Sequence, residues 1–135
     1  MCSHDKELTH KSIDGSLVLL LENNDFLRTA MRTLIGRWGY DVLDAPSARQ
    51  MLSALKNAQR IPDILISDYR PHASESGIDA IRAVRALSGR RLPAILLINE
   101  LMTHDDSLMA EEINVLRKPI DPHQLRTLLT TMTTL

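Results

Sequence analysis

Short runs of apolar residues alternate along the chain with longer stretches in which apolar residues recur every three or four positions. The runs are typical of strands buried on both faces, and the longer spacing is typical of helices with one buried face. The pattern predicts strands at 17–21, 40–44, 63–67, 94–98 and 115–116, and helices at 27–38, 46–55, 78–87, 105–112 and 125–132.

The order of these elements indicates one parallel sheet with helices on both faces. Strands joined by helices run parallel, and their crossovers are right-handed. The first, third and fourth strands are continuously apolar and should be central, whereas the second is shorter and more polar, as an edge strand should be. We predict a single α/β domain at residues 15–135, preceded at 1–14 by a polar segment that is expected to be a disordered leader, a linker or a cloning remnant.

Composition and charge exclude several classes of protein. Hydrophobic residues make up 44% and charged residues 24%, as in ordinary globular proteins. The net charge is −1 and the basic residues are scattered, so no patch for nucleic acid or a membrane surface is indicated. The single cysteine excludes a disulfide framework, and the apolar runs are far too short to cross a bilayer. We expect a cytoplasmic protein, or the cytoplasmic part of a larger one.

Candidate chemistry lies at the ends of the predicted strands. Ligands bind outside the carboxyl ends of the strands in an open parallel sheet. The polar residues at those ends are Glu22 and Asn23 after the first strand, Asp68 after the third, Asn99 and Glu100 after the fourth, and Lys118 after the fifth. One polar residue after one strand is ordinary, but carboxylates, amides and a lysine at these particular ends indicate a shared site.

These residues carry a resemblance to a known family. The chain from about Leu17 to Met132 resembles the CheY-like receiver domains of response regulators, and most of all those of hybrid sensor histidine kinases. The motifs are LVLLLENNDFLR, DILISDYRPHASESGIDAIRAVR, PAILLINE and VLRKPIDPHQL. The resemblance implies a flavodoxin-like (βα)5 fold with a five-stranded parallel sheet in the order 2-1-3-4-5. It also implies a cis Lys118–Pro119 bond, although a trans bond fits the sequence as well.

The resemblance implies a phosphorelay function in signal transduction. Asp68 would accept a phosphoryl group from the phosphohistidine of a histidine kinase or phosphotransfer domain, and Lys118 would contact the phosphoryl oxygens. The implied ligands of Mg²⁺ are Glu22, Asn23, Asp68 and the backbone carbonyl of Tyr69. A carboxylate needs such charge neutralisation to attack an anionic phosphoryl donor. The domain would be a phosphoacceptor, not an enzyme, with at most slow self-dephosphorylation, and could belong to a hybrid histidine kinase.

Two features depart from the family's pattern. Receivers usually have two acidic residues after the first strand, but the second here is Asn23, so we predict weaker Mg²⁺ binding. The usual hydroxyl at the end of the fourth strand is replaced by Ile98, or by Asn99 in a register shifted by one residue. The usual aromatic switch partner is replaced by Val115. We therefore expect phosphorylation to be transmitted by something other than a hydroxyl–aromatic couple.

Other functions compete with this interpretation. The same departures favour a phosphorylation-independent pseudo-receiver that acts as a protein-interaction module, whereas Asp68 and Lys118 oppose it. A haloacid-dehalogenase-type phosphatase would need a second aspartate where Arg70 stands, and a dinucleotide-binding fold would need G-x-G-x-x-G after the first strand. The resemblance also implies a partner surface on the fourth helix, fifth strand and fifth helix, through which the chain could form a homodimer.

Overall fold

The strands and helices alternate along the chain much as the apolar pattern predicts. The computed structural model describes residues 15–69, 76–89, 91–99 and 112–133. The strands in these ranges are β1 (Leu17–Leu21), β2 (Asp41–Ala45), β3 (Ile64–Asp68), β4 (Ala94–Ile98) and β5 (Ile113–Arg117). The helices in these ranges are α1 (Asp25–Arg37), α2 (Ala48–Ala58), α3 (Gly77–Ser88) and α4 (Pro122–Thr133).

The five strands form one parallel sheet in the order β2-β1-β3-β4-β5. The strands β1, β3 and β4 are central, and all of their residues are buried, including the polar Ser67 and Asp68 at the end of β3. The more polar β2 lies at one edge and β5 at the other. The predicted α/β class, the flavodoxin-like topology and the strand order are confirmed.

Helices cover both faces of the sheet because successive side chains of a strand point in opposite directions. Leu19, Leu65 and Leu96 pack in a cluster with residues of α2 and α3. Leu20 and Ile66 pack in a second cluster with residues of α1 and α4. Burial on both faces explains why the central strands show no alternation of apolar and polar residues.

Side-chain caps fix the points at which loops become helices. Asn24 precedes α1, and its Oδ1 accepts a hydrogen bond from the N–H of Leu27 at 2.9 Å. Ser76 precedes α3 and forms a reciprocal capping box with Asp79. Gly39 follows the end of α1 with a φ of 101°, the left-handed conformation that glycine commonly adopts just after a helix. A side-chain cap such as those of Asn24 and Ser76 typically contributes about 1 kcal/mol, so the starts of α1 and α3 are well defined.

A few boundaries differ from the sequence predictions. β5 is longer than the predicted 115–116, and Asp68 is the last residue of β3 instead of following it. Ser47 caps α2, so Pro46 precedes that helix instead of opening it. The Ser47 hydroxyl accepts a hydrogen bond from the N–H of Gln50 at 3.3 Å, whereas proline has no side-chain acceptor. None of the described helices is long and apolar enough to span a membrane.

Two predicted segments fall on residues about which the structure gives little or nothing. The segment at 1–14 lies outside the described ranges. The helix predicted at 105–112 also lies outside them, except for Glu112, which is part of a turn.

Candidate functional site

The carboxyl ends of β1, β3 and β5 bring three of the predicted site residues to one edge of the sheet. Glu22 directly follows β1, Asp68 ends β3, and Lys118 directly follows β5. The backbone ladders continue past the strands, since the N–H of Glu22 donates to Ala45 at 3.2 Å and the N–H of Tyr69 donates to Leu97 at 2.8 Å. These bonds hold Glu22 and Tyr69, the first residues after β1 and β3, against the neighbouring strands.

Lys118 lies between the two carboxylates. Its Nζ donates to Oδ1 of Asp68 at 3.0 Å and lies 3.2 Å from Oε1 of Glu22. The side chain of Glu22 is 1% exposed, that of Asp68 11% and that of Lys118 29%. The ammonium therefore compensates two negative charges that would otherwise repel each other in a partly buried site.

The electrostatics of Glu22 are those of a buried acid. Burial raises the pKa of the Glu22 carboxyl, against the 3.0 Å hydrogen bond from the N–H of Asn24, and the charge of Asp68 adds to the rise. Among the described residues, Oε1 of Glu22 has no well-aligned hydrogen-bond donor, although Lys118 is close enough for ion pairing. A buried carboxylate oxygen in this position is suited to accept a cation.

Lys118 is held as a cation by its neighbours. Burial lowers the pKa of its ammonium, but the hydrogen bond to Asp68 and the charge of Glu22 outweigh burial, and the pKa of Lys118 is raised. Its backbone N–H donates to the carbonyl of Ile98 at 2.7 Å. The Lys118–Pro119 peptide bond is cis, as the resemblance implies.

Of the four predicted Mg²⁺ ligands, two share a common contact and two do not. Glu22 and Asp68 contact one ammonium, Asn23 is exposed beside Glu22, and the half-buried side chain of Tyr69 packs against the core. Among the residues that the structure describes, no three His, Cys, Asp or Glu side chains are placed to hold a metal. The donors here are two carboxylates with neutral amide and carbonyl oxygens, which are oxygen ligands that suit Mg²⁺ but carry less charge than three carboxylates.

The substitution Asn23→Asp is expected to tighten Mg²⁺ binding by about tenfold, or about 1.4 kcal/mol, which is modest for an added charge near a protein surface. Residue 23 is exposed, so the new carboxylate needs no burial. Isothermal titration calorimetry with Mg²⁺ measures the change. Asn24→Asp is the matched control, because it adds the same charge one residue away and aspartate caps α1 as well as asparagine does. An equal gain in both variants would argue against a ligand at residue 23.

Two of the three predicted switch positions, Ile98 and Val115, are apolar and pack in or against the core. Ile98 is fully buried in the cluster between the sheet and the helices α2 and α3, and Val115 packs half-buried against the same cluster. Asn99 follows β4 and is exposed. The side chains of Ile98 and Val115 cannot hydrogen-bond a phosphoryl oxygen. That a phosphorylation signal travels by another route stays a prediction.

Gly77 packs against Asp68 without room for a side chain. A Cβ atom at this position would overlap the carbonyl oxygen of Asp68 and lie 2.9 Å from Cδ1 of Leu96. The hydroxyl of Ser67 donates to the carbonyl of Gly77 at 3.3 Å and ties the start of α3 to the end of β3. The glycine at position 77, within the motif DILISDYRPHASESGIDAIRAVR that carries the resemblance, thus has a steric reason.

Sequence analysis did not single out Arg28, which contacts the loop of Glu22. Its Nη1 donates to the backbone carbonyl of Glu22 at 2.9 Å. The available signal was its place in the first turn of α1, since long helical side chains lean toward the helix N-terminus and can reach the preceding loop.

Known proteins resemble this chain over most of its length. The family model described as response regulator receiver domain matches residues 18–130. A curated relative, the transcriptional regulatory protein ZraR of Escherichia coli O157:H7, is 28% identical over 116 residues, which cover 84% of this chain and 25% of ZraR. This chain therefore spans about a quarter of the length of the curated relatives it matches.

Solved structures share the fold. A response regulator receiver domain protein from Clostridium thermocellum has a TM-score of 0.75 and 21% identity, and the match covers 87% of this chain and 94% of that one. The receiver domain of the hybrid histidine kinase CckA has a TM-score of 0.70 and 24% identity, with 87% and 99% covered. At these identities the likeness bears on the fold alone, and the fold is the one predicted.

Proposed function

Because this chain belongs to the family of response regulator receiver domains, we propose that Asp68 accepts a phosphoryl group from a phosphohistidine. Receiver domains interact with histidine kinases or phosphotransfer proteins, so the donor would be one of these. The observation that carries the proposal is the contact of Lys118 with both Asp68 and Glu22 at a partly buried edge of the sheet. An ammonium held there is available to stabilise the oxygens of an incoming phosphoryl group.

In the proposed transfer, a carboxylate oxygen of Asp68 attacks phosphorus. The Asp68 O–P bond forms while the P–N bond to the donor imidazole breaks. The imidazole nitrogen keeps the electron pair of that bond and takes up a proton. Lys118 orients the acceptor through Oδ1 of Asp68, and the partial exclusion of water strengthens its attraction for the transferring oxygens.

The donor atoms around Asp68 suit a Mg²⁺ ion. Asp68 and the buried Oε1 of Glu22 would supply carboxylate oxygens, and Asn23 and the carbonyl of Tyr69 would supply neutral ones. When bound, Mg²⁺ neutralises charge on the carboxylates and on the phosphoryl oxygens. Because Lys118 holds the same two carboxylates, its ammonium would have to share them with the ion.

The broader role would be that of a cytoplasmic phosphoacceptor in a phosphorelay, without enzymatic activity beyond slow loss of its own phosphoryl group. A hybrid histidine kinase is one possible setting, and no contact with nucleic acid or a membrane is expected of this domain. The predicted homodimer surface includes the fourth predicted helix, most of which lies outside the described residues, so it stays a prediction.

A second candidate function is that of a pseudo-receiver, a protein-interaction module that works without phosphorylation. Its support is the fully buried Ile98 in place of a hydroxyl, together with the neutral Asn23. The two candidates differ in one measurable property, which is phosphoryl transfer to Asp68.

The purified protein is expected to gain one phosphoryl group when incubated with acetyl phosphate and Mg²⁺, as measured by intact-mass spectrometry. Asp68→Asn should gain none, because the amide keeps the shape of the carboxylate but is not a nucleophile. The matched control Asp41→Asn changes an exposed aspartate at the other end of the β1–β2 pair and should be labelled like the parent. A folded parent that stays unlabelled would favour the pseudo-receiver.

A further inference from the structure

The guanidinium group of Arg28 contacts the loop after β1, the strand β2 and the first residue of α1. Nη1 donates to the carbonyl of Glu22 at 2.9 Å, and Nε donates to Oδ2 of Asp44 at 3.1 Å. Nη2 forms an ion pair with Asp25 at 2.8 Å. The Arg28 side chain is 16% exposed and that of Asp44 18%, whereas that of Asp25 is 85% exposed. The contacts with Asp44 and the carbonyl are therefore the sheltered ones.

The carbonyl that Arg28 holds belongs to the peptide bond between Glu22 and Asn23. A peptide group is planar, so a hydrogen bond to its oxygen restricts the orientation of the whole group. The N–H of Glu22 is held from the other side by the carbonyl of Ala45 on β2. Both peptide groups that flank Glu22 are thus anchored, one to β2 directly and the other to β2 through Arg28 and Asp44.

The carboxylate of Asp44 orients the guanidinium group of Arg28 beside the carbonyl of Glu22. A cation at the first turn of a helix is disfavoured by the helix dipole, so the orientation of Arg28 needs a compensating acid. Asp44 supplies it from β2, and its other oxygen lies 3.5 Å from Nη1 of Arg32. A lysine could not make the same contacts, because its single ammonium lacks the planar fork that reaches two acceptors.

We propose that Arg28, oriented by Asp44, is a positioning residue for the divalent-cation site, an inference that rests on the proposed function. It holds the peptide that joins the two ligand residues Glu22 and Asn23, and so sets the direction in which their side chains leave the backbone. It does not touch Asp68 or the transferring group. Its effect is on the affinity for Mg²⁺.

The test is Mg²⁺ affinity by isothermal titration calorimetry in two arginine-to-lysine variants, which conserve charge, and in Asp44→Asn. Arg28→Lys is expected to weaken binding by about tenfold, the lower end of the usual effect of removing a partner that orients a metal ligand. Arg60→Lys is a closely matched control, because Arg60 also bonds an aspartate and a backbone carbonyl, those of Asp41 and Gly15, at the opposite end of β1 and β2. It should bind Mg²⁺ like the parent.

Asp44→Asn should also weaken Mg²⁺ binding by about tenfold. The double variant Arg28→Lys/Asp44→Asn should bind Mg²⁺ no more weakly than either single variant, because both substitutions break the same contact between Arg28 and Asp44. Equal Mg²⁺ affinity of Arg28→Lys and the parent would overturn the inference. So would a double variant whose fold-loss of Mg²⁺ affinity is the product of the fold-losses of the two single variants. If the parent itself binds no Mg²⁺, the proposed function fails and the inference falls with it. Thermal unfolding of each variant establishes that all are folded.

Discussion

Gly77→Ala is expected to destabilise the domain by about 3 kcal/mol, the upper range for an overpacked site. The added Cβ would overlap the carbonyl oxygen of Asp68, and backbone cannot move aside as a flexible side chain can. Either α3 shifts away from β3 or the end of β3 moves, and both disturb the residue proposed as phosphoacceptor. Urea unfolding followed by the fluorescence of Trp38, the single tryptophan, measures the loss. Labelling of this variant by acetyl phosphate should be slower than that of the parent.

Gly36→Ala provides the matched control for this substitution. Gly36 lies inside α1, and a Cβ atom there would meet no atom within 4 Å. Alanine should therefore stabilise the helix by about 0.5–1 kcal/mol, because it has less conformational entropy to lose on folding. The two variants should move the free energy of unfolding in opposite directions. Similar small effects in both would show that Gly77 is not held against Asp68.

Lys118→Ala is expected to slow phosphorylation of Asp68 by about 100-fold, the usual loss when one group that stabilises transition-state charge is removed. The same change should destabilise the Mg²⁺-free protein, because Glu22 and Asp68 would face each other without the ammonium. The rate is measured by intact-mass spectrometry at a series of times with acetyl phosphate, and the stability by urea unfolding with and without Mg²⁺.

Added Mg²⁺ should restore much of the stability of Lys118→Ala, since a cation can again compensate the two carboxylates, but it should not restore the rate. Lys56→Ala removes an exposed lysine of α2 and should leave rate and stability close to those of the parent. A Lys118→Ala protein that is phosphorylated at the rate of the parent would contradict the role proposed for the ammonium.

The strands and helices could be predicted where the pattern of apolar residues shows which faces are buried. The five-residue apolar runs of β1 and β4 identify them as central strands, because continuous apolar runs are typical of strands buried on both faces. The strand order came instead from the resemblance, since no local pattern states which strands are neighbours. The length of β5 was underestimated because its sequence, INVLR, mixes exposed polar residues with apolar ones and contains no longer apolar run than Val115–Leu116.

The candidate site could be predicted as far as it depends on strand ends. Glu22, Asp68 and Lys118 converge because parallel strands share one carboxyl edge, which the pattern of elements already implies. The contact of Arg28 with Asp44 and the tight packing of Gly77 on Asp68 depend on distances between a helix and a strand. Such distances follow from the packing of whole elements, and no spacing within the sequence specifies them.

The most direct test of the central claim is to locate the phosphoryl group on the chain. Borohydride reduces an aspartyl phosphate to homoserine, and peptide mass spectrometry then identifies the modified position. After treatment of the parent with acetyl phosphate and Mg²⁺, we predict homoserine at residue 68 and at no other aspartate. Homoserine at another position, or none in a folded and Mg²⁺-loaded protein, would contradict the assignment of Asp68 as the phosphoacceptor.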